Sequence, residues 1–140
     1  IEASCAGVKI QMIVRGICCL RGGVPGQTDN IHIISVVGRY LEHSRIYIFG
    51  QGEDARYYIG SADWMTRNTL RRVEVAAPIY DKTLKARLNT IFEVMWKDNR
   101  QARDQMPDGS YRRRVPNGEK ALACQDWLYD EAYRLAHNEE

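Results

Sequence analysis

The run Ile31-His32-Ile33-Ile34-Ser35-Val36-Val37 constrains the fold more than any other stretch of this chain. Side chains branched at Cβ lose rotamer freedom in a helix and pack well on a pleated surface, so so dense a run reads as a strand. Four further strands are expected: Val8–Val14, alternating up to Arg15-Gly16, then Arg45–Phe49, Arg56–Ile59 and Arg72–Ala76. Ile17–Leu20 briefly continues the first of them before Arg21-Gly22-Gly23-Val24-Pro25-Gly26, which only a loop accommodates. Gly38–Ser44 reads as a connector of one helical turn, and Gly50–Asp54 as a turn.

Helices come late. Asp81 suits an N-cap, with Leu84, Leu88, Ile91 and Met95 along one face of the helix that follows. A polar segment, 98–118, carries turn signals at Pro107-Asp108-Gly109 and Pro116-Asn117-Gly118. A last helix is expected over Glu119–His137, burying Ala121, Cys124, Leu128, Ala132 and Leu135. The opening Glu2–Gly7 reads as the last turn of a helix stopping at a glycine, as in a piece of a longer protein. Short strands followed by helices predict an α/β fold with a mixed β-sheet flanked by helices and a C-terminal helix.

Composition sets limits more than it decides. With 140 residues, 44% hydrophobic and 27% charged, the chain suits one ordinary folded domain or part of one. A net charge of +2 gives no reason to expect a nucleic-acid partner. No apolar run approaches the roughly 20 residues that span a bilayer, and Glu2 and Lys9 interrupt any signal-peptide core. Cys5, Cys18, Cys19 and Cys124 form no C-x-x-C pair, and Cys18 and Cys19 would face opposite ways on a strand. Reduced thiols and a cytoplasmic location are therefore expected, with peripheral membrane association left open.

Three segments place polar groups at the ends of apolar strands: Arg15-Gly16, His43-Ser44-Arg45 and Gly60-Ser61-Ala62-Asp63. Phosphoryl transfer needs such groups. An imidazole attacks phosphorus or protonates a leaving oxygen, guanidinium forks neutralise phosphate oxygens, and a hydroxyl adds a donor. The series H-x-R … G-S-x-D resembles the H-x-K … G-S-x-N half-site of the phospholipase D superfamily. Arg45 stands for lysine, Asp63 for asparagine, and Gly50 for the aspartate seven residues past the histidine.

The wider text is more specific. Val14-Arg15-Gly16-Ile17-Cys18-Cys19-Leu20-Arg21-Gly22-Gly23-Val24-Pro25-Gly26, Arg39-Tyr40-Leu41-Glu42-His43-Ser44-Arg45-Ile46-Tyr47 and Ser61-Ala62-Asp63-Trp64-Met65-Thr66-Arg67-Asn68 resemble the C-terminal domain of the large, ATP-using polyphosphate kinases. Pro107-Asp108-Gly109-Ser110-Tyr111 matches the tail of that family, so the likeness covers essentially the whole chain.

The resemblance implies a phospholipase-D-like sandwich half. It divides the chain into a catalytic part over residues 1–105 and a turn segment with C-terminal helix over 106–140. It implies reversible transfer of the terminal phosphoryl of ATP onto inorganic polyphosphate through a phosphohistidine in a preceding domain outside these residues, so the chain alone is expected to be inactive. By motif match, Arg15 and His43 contact nucleotide, with His43 the second active-site histidine. Arg45, Ser61, Asp63 and Arg67 join them as expected phosphate-binding residues. ATP, ADP and polyphosphate are the implied ligands. Mg2+ is the implied cofactor, with its ligands elsewhere, and the rest of the same polypeptide and further copies of it are the implied partners.

Glu74, within Val73-Glu74-Val75, is expected to be buried on a strand and to accept a hydrogen bond from His43, fixing its tautomer. Glu42 and Asp63 are the other acids weighed for that role. His32 is read as structural, His137 as a helix C-terminal cap, Trp64 and Met65 as core, and Arg112–Arg114 as a solvated run. Two rival functions remain: a phospholipase-D-type phosphodiesterase or nuclease, and a non-catalytic anion-binding module.

Overall fold

A computed structural model describes residues 1–137. In chain order its elements are α1 (Glu2–Cys5), β1 (Ile10–Ile13), β2 (Ile31–Val36), β3 (Ile46–Phe49), β4 (Arg56–Gly60), α2 (Thr66–Arg71), β5 (Ala76–Ile79), α3 (Lys82–Trp96), β6 (Ala102–Gln105), β7 (Tyr111–Arg113) and α4 (Cys124–His137). The fold is mixed α/β with open sheets and a C-terminal helix. It divides into two compact units, Ile1–Glu42 with the chain from Phe92 onward, and His43–Ile91.

The first unit is built on a sheet of order β1-β2-β6-β7. As expected of its β-branched run, β2 is central, parallel to β1 and antiparallel to β6. Ile33 and Ile34 are fully buried, and Ala102 and Cys124 share this core. His32 is the one exposed residue of β2. Its Nε2 lies 2.9 Å from Asp104 Oδ1, and its ring meets Trp96 edge-on at 4.9 Å. Before β1, Gly7 takes a φ of +87° after the α1 turn, a backbone geometry that favours glycine.

The second unit carries the antiparallel sheet β3-β4-β5. Asp81 caps α3 as predicted, accepting from the Leu84 N–H at 2.9 Å. Within this unit Tyr57, buried on β4, exchanges hydrogen bonds with Asn89 of α3 at 2.8–3.0 Å.

Several elements differ from the sequence expectation. Arg72–Ala76 is not a strand: α2 ends at Arg71, Val73 is 99% exposed, and the fifth strand begins only at Ala76. Gly38–Ser44 contains no helical turn, and Ile17–Leu20 forms no strand. The polar 98–118 segment yields β6 and β7, which pair around the Pro107-Asp108-Gly109 turn. Arg114 is no solvated run there, since it grips Asp104 at 2.7 and 2.9 Å and lies over the Trp96 ring. The last helix starts at Cys124 rather than Glu119, and Leu135 is 68% exposed. Trp64 is not core either: it is 75% exposed, with Tyr47 at 5.5 Å between ring centroids. His137 Nδ1 meets the Tyr133 carbonyl at 2.9 Å in the last turn of α4, as a cap would. No helix among the described residues is long and apolar enough to cross a membrane.

Candidate functional site

In the second unit, the segment leading into β3 and the chain leaving β4 bring His43, Arg45 and Asp63 together. Two residues apart on an extended chain, His43 and Arg45 point to the same side. Arg45 Nη1 and Nη2 lie 3.1 and 3.3 Å from the two ring nitrogens of His43. A neutral imidazole has one accepting and one donating nitrogen, so only one of these contacts is a hydrogen bond at a time. Arg45 Nε donates to Asp63 Oδ1 at 3.1 Å, and Nη1 also donates to the His43 carbonyl at 3.2 Å. The result is an exposed imidazole backed by a guanidinium whose other edge is fixed by a carboxylate.

Ser61 and Glu74 pair with each other instead. The Ser61 hydroxyl donates its proton to Glu74 Oε2 and accepts from the Val75 N–H at 3.0 Å. The Ser61 N–H in turn donates to the Val75 carbonyl at 3.0 Å, closing a small clasp beyond β4. The expected His43–Glu74 bond is absent: His43 faces Arg45, and Glu74 takes Ser61. The misplaced strand explains the difference, because Glu74 follows a helix and is not enclosed by a sheet. Arg67 sits exposed in the first turn of α2.

Arg15 belongs to the first unit, just beyond β1, and is part-buried. Its Nη1 donates to the carbonyl of Glu42. Glu42, weighed as a partner for His43, uses its carboxylate otherwise: Oε1 accepts from Gln125 Nε2 at 2.6 Å. Gln125 also exchanges two hydrogen bonds with the Tyr40 backbone, at 2.9 Å to its N–H and 2.8 Å to its carbonyl.

Asp98 anchors this region. Its fully buried carboxylate accepts from the N–H groups of Arg100, Gln101 and Ala102 at 2.6–3.0 Å, and from Cys124 at 2.7 Å. Burial alone would disfavour its charge; four backbone donors outweigh burial and hold its pKa below the ordinary 3.8. Asp104 follows the same logic, with burial opposed by Arg114 and His32 and its pKa lowered. Burial pushes the Cys124 thiol up, and the Asp98 carboxylate adds to the rise, so this cysteine is no nucleophile. Gln125 and Asp98 carry no motif that marks them; a polar residue in the first turn of a helix and one after a helix end both pass as surface groups.

Among the described residues no three His, Cys, Asp or Glu side chains converge as a metal site would require. No step here runs through Mg2+.

Comparison with known proteins identifies the family and the fold. The family described as "Polyphosphate kinase C-terminal domain 2" matches residues 1–125. The chain belongs to that family. It is similar to "Polyphosphate kinase" of Thermosynechococcus vestitus, 56% identical over 115 residues that make up 82% of the chain and 16% of the relative. It is also similar to "Polyphosphate kinase" of Bacillus anthracis, 48% identical over 133 residues, 95% of the chain and 19% of the relative. A crystal structure of polyphosphate kinase from Porphyromonas gingivalis superposes with a TM-score of 0.90 at 37% identity, covering 98% of this chain and 21% of that one. This polyphosphate kinase domain thus spans about a fifth of the length of the relatives it matches.

Proposed function

We propose that this domain serves reversible transfer of the terminal phosphoryl of ATP onto inorganic polyphosphate, as part of a longer polypeptide that supplies the phosphohistidine. Support comes from family membership and from one geometric observation above all: the exposed His43 imidazole held against the Arg45 guanidinium. A phosphate approaching this pair meets a proton donor or acceptor and a fixed cation together. Positioning and charge neutralisation are most of what a protein contributes to phosphoryl transfer. Arg15, also part-buried, would bind nucleotide phosphate oxygens in a forked contact.

Ser61 fits the role of a hydrogen-bond donor to phosphate less well, because its one hydroxyl proton goes to Glu74. Its part in the site is to shape the chain that carries Asp63. Arg67, exposed on α2, is suited to draw in a polyanion by charge.

The test is ATP–polyphosphate exchange by the full-length protein. His43→Ala and Arg15→Ala should each lower kcat/KM by about a hundredfold or more, as loss of a group stabilising the transition state does. Full exchange activity in either variant, or diester cleavage that depends on His43, would overturn the reading.

A further inference from the structure

We infer that Gln125 is a positioning residue for Arg15, acting through the peptide of Glu42; the functional half of this inference rests on the phosphate-binding reading of Arg15 given above. Gln125 stands in the first turn of α4 and is 4% exposed, yet no part of its amide is idle. Oε1 accepts from the Tyr40 N–H at 2.9 Å, and Nε2 donates both to the Tyr40 carbonyl at 2.8 Å and to Glu42 Oε1 at 2.6 Å. One side chain thereby holds residues 40–42, a stretch in no helix or strand that has few ways of satisfying its backbone.

The same stretch ends in the Glu42 carbonyl that receives Arg15 Nη1. A carbonyl on a loose loop would be a poorly defined partner for Arg15 Nη1. Pinned at Tyr40 and at the Glu42 side chain, it is a fixed partner for Nη1 of the guanidinium.

The anchor behind Gln125 is itself rigid. Asp98 Oδ2 accepts the Cys124 N–H at 2.7 Å, so the residue before Gln125 is tied to a carboxylate that also holds the turn at Arg100–Ala102. A primary amide meets this pattern, because the loop asks for one acceptor and two donors within one planar group, and the glutamine side chain has the reach to present it. A glutamate would set a carboxylate against that of Glu42, and a leucine would leave three part-buried hydrogen bonds unmade.

The inference is tested in the full-length protein by a double-mutant cycle between positions 125 and 15, read as kcat/KM for ATP in polyphosphate synthesis. Gln125→Ala and Gln125→Glu should each lower kcat/KM about tenfold or more when Arg15 is present, a scale in keeping with misplacement of a binding group. In an Arg15→Ala background either substitution should add less than about threefold, because the group it positions is already gone. Glu42→Gln should partly restore the Gln125→Glu variant by reversing donor and acceptor across the 2.6 Å contact. Should Gln125→Ala fail to fold, the Gln125→Glu and Glu42→Gln pair carries the same decision. Equal losses in both backgrounds, or no loss with Arg15 present, would overturn the positioning role. If Arg15→Ala alone leaves ATP kinetics unchanged, the phosphate reading of Arg15 fails, and this inference falls with it; the single variant identifies that case.

Discussion

Arg45 donates from Nε to Asp63 Oδ1 across 3.1 Å, with only 14% and 30% of the two side chains exposed. The pair turns the other edge of the guanidinium toward His43. Phospholipase-D-like half-sites carry lysine and asparagine at these positions, and the arginine–aspartate pair is self-consistent in its own way. An ammonium is a point donor and cannot grip a carboxylate on one edge while meeting an imidazole with the other. Arg45→Lys should therefore lower polyphosphate synthesis by about tenfold or more in the full-length protein, despite keeping the charge. Steady-state kinetics of the lysine variant at wild-type level would show that charge alone suffices.

Arg15 invites a parallel comparison. Its Nη1 donates to the Glu42 carbonyl, and in the proposed role the same planar group would meet phosphate, which a point-like ammonium cannot reproduce. Arg15→Lys should recover little of what Arg15→Ala loses, with the deficit concentrated in KM for ATP. A lysine variant with unchanged KM would reduce the role of Arg15 to simple charge.

The Ser61–Glu74 clasp predicts a mild phenotype where an orienting acid would give a severe one. Glutamine keeps an oxygen for the Ser61 hydroxyl, so Glu74→Gln should change kcat/KM by less than about threefold and leave its pH profile in place. Were Glu74 the acid that fixes the His43 tautomer, the same substitution would cost orders of magnitude and shift the profile. Exchange assays across pH separate the two.

These outcomes bear on what the residues could reveal before the fold was known. The β-branched run of β2, the Asp81 cap and the Gly7 turn were legible because each follows from local chemistry. β6 and β7 were not, since Ala-Arg-Asp-Gln and Tyr-Arg-Arg lack apolar alternation and are steadied by the Arg114–Asp104–His32 cluster, whose members are distant in sequence. The strand expected at Arg72–Ala76 failed for the opposite reason: Val73 and Val75, 99% and 64% exposed, mimic a buried strand. At the site, the series His43, Arg45, Ser61 and Asp63 was legible as a motif, and the structure brings His43 and Asp63 to Arg45 while Ser61 turns to Glu74. Gln125 and Asp98 stayed invisible, because a buried polar residue is marked only by the backbone groups that surround it in three dimensions.

Asp98 makes the last prediction, on acid stability. Its carboxyl has a pKa below 3.8 in the folded protein because four backbone N–H groups stabilise the anion against the cost of burial. A depressed folded value means that the unfolded chain binds the proton more readily. The stabilisation is thus fully present above the ordinary carboxylate range, and it declines as pH falls past 3.8 toward the lower folded value. Asp104, lowered as well, adds to the same window. Urea midpoints followed by tryptophan fluorescence should be nearly flat from about pH 7 to pH 5 as far as these groups govern them, then drop steeply below about pH 4. Asp98→Asn should remove part of that slope. It should also lower stability at neutral pH by about 2–4 kcal/mol, since an amide keeps an oxygen for Arg100–Ala102 but turns an N–H toward that of Cys124. A variant with wild-type stability at pH 7 and an unchanged acid slope would show that the backbone donors of Asp98 do not need its charge.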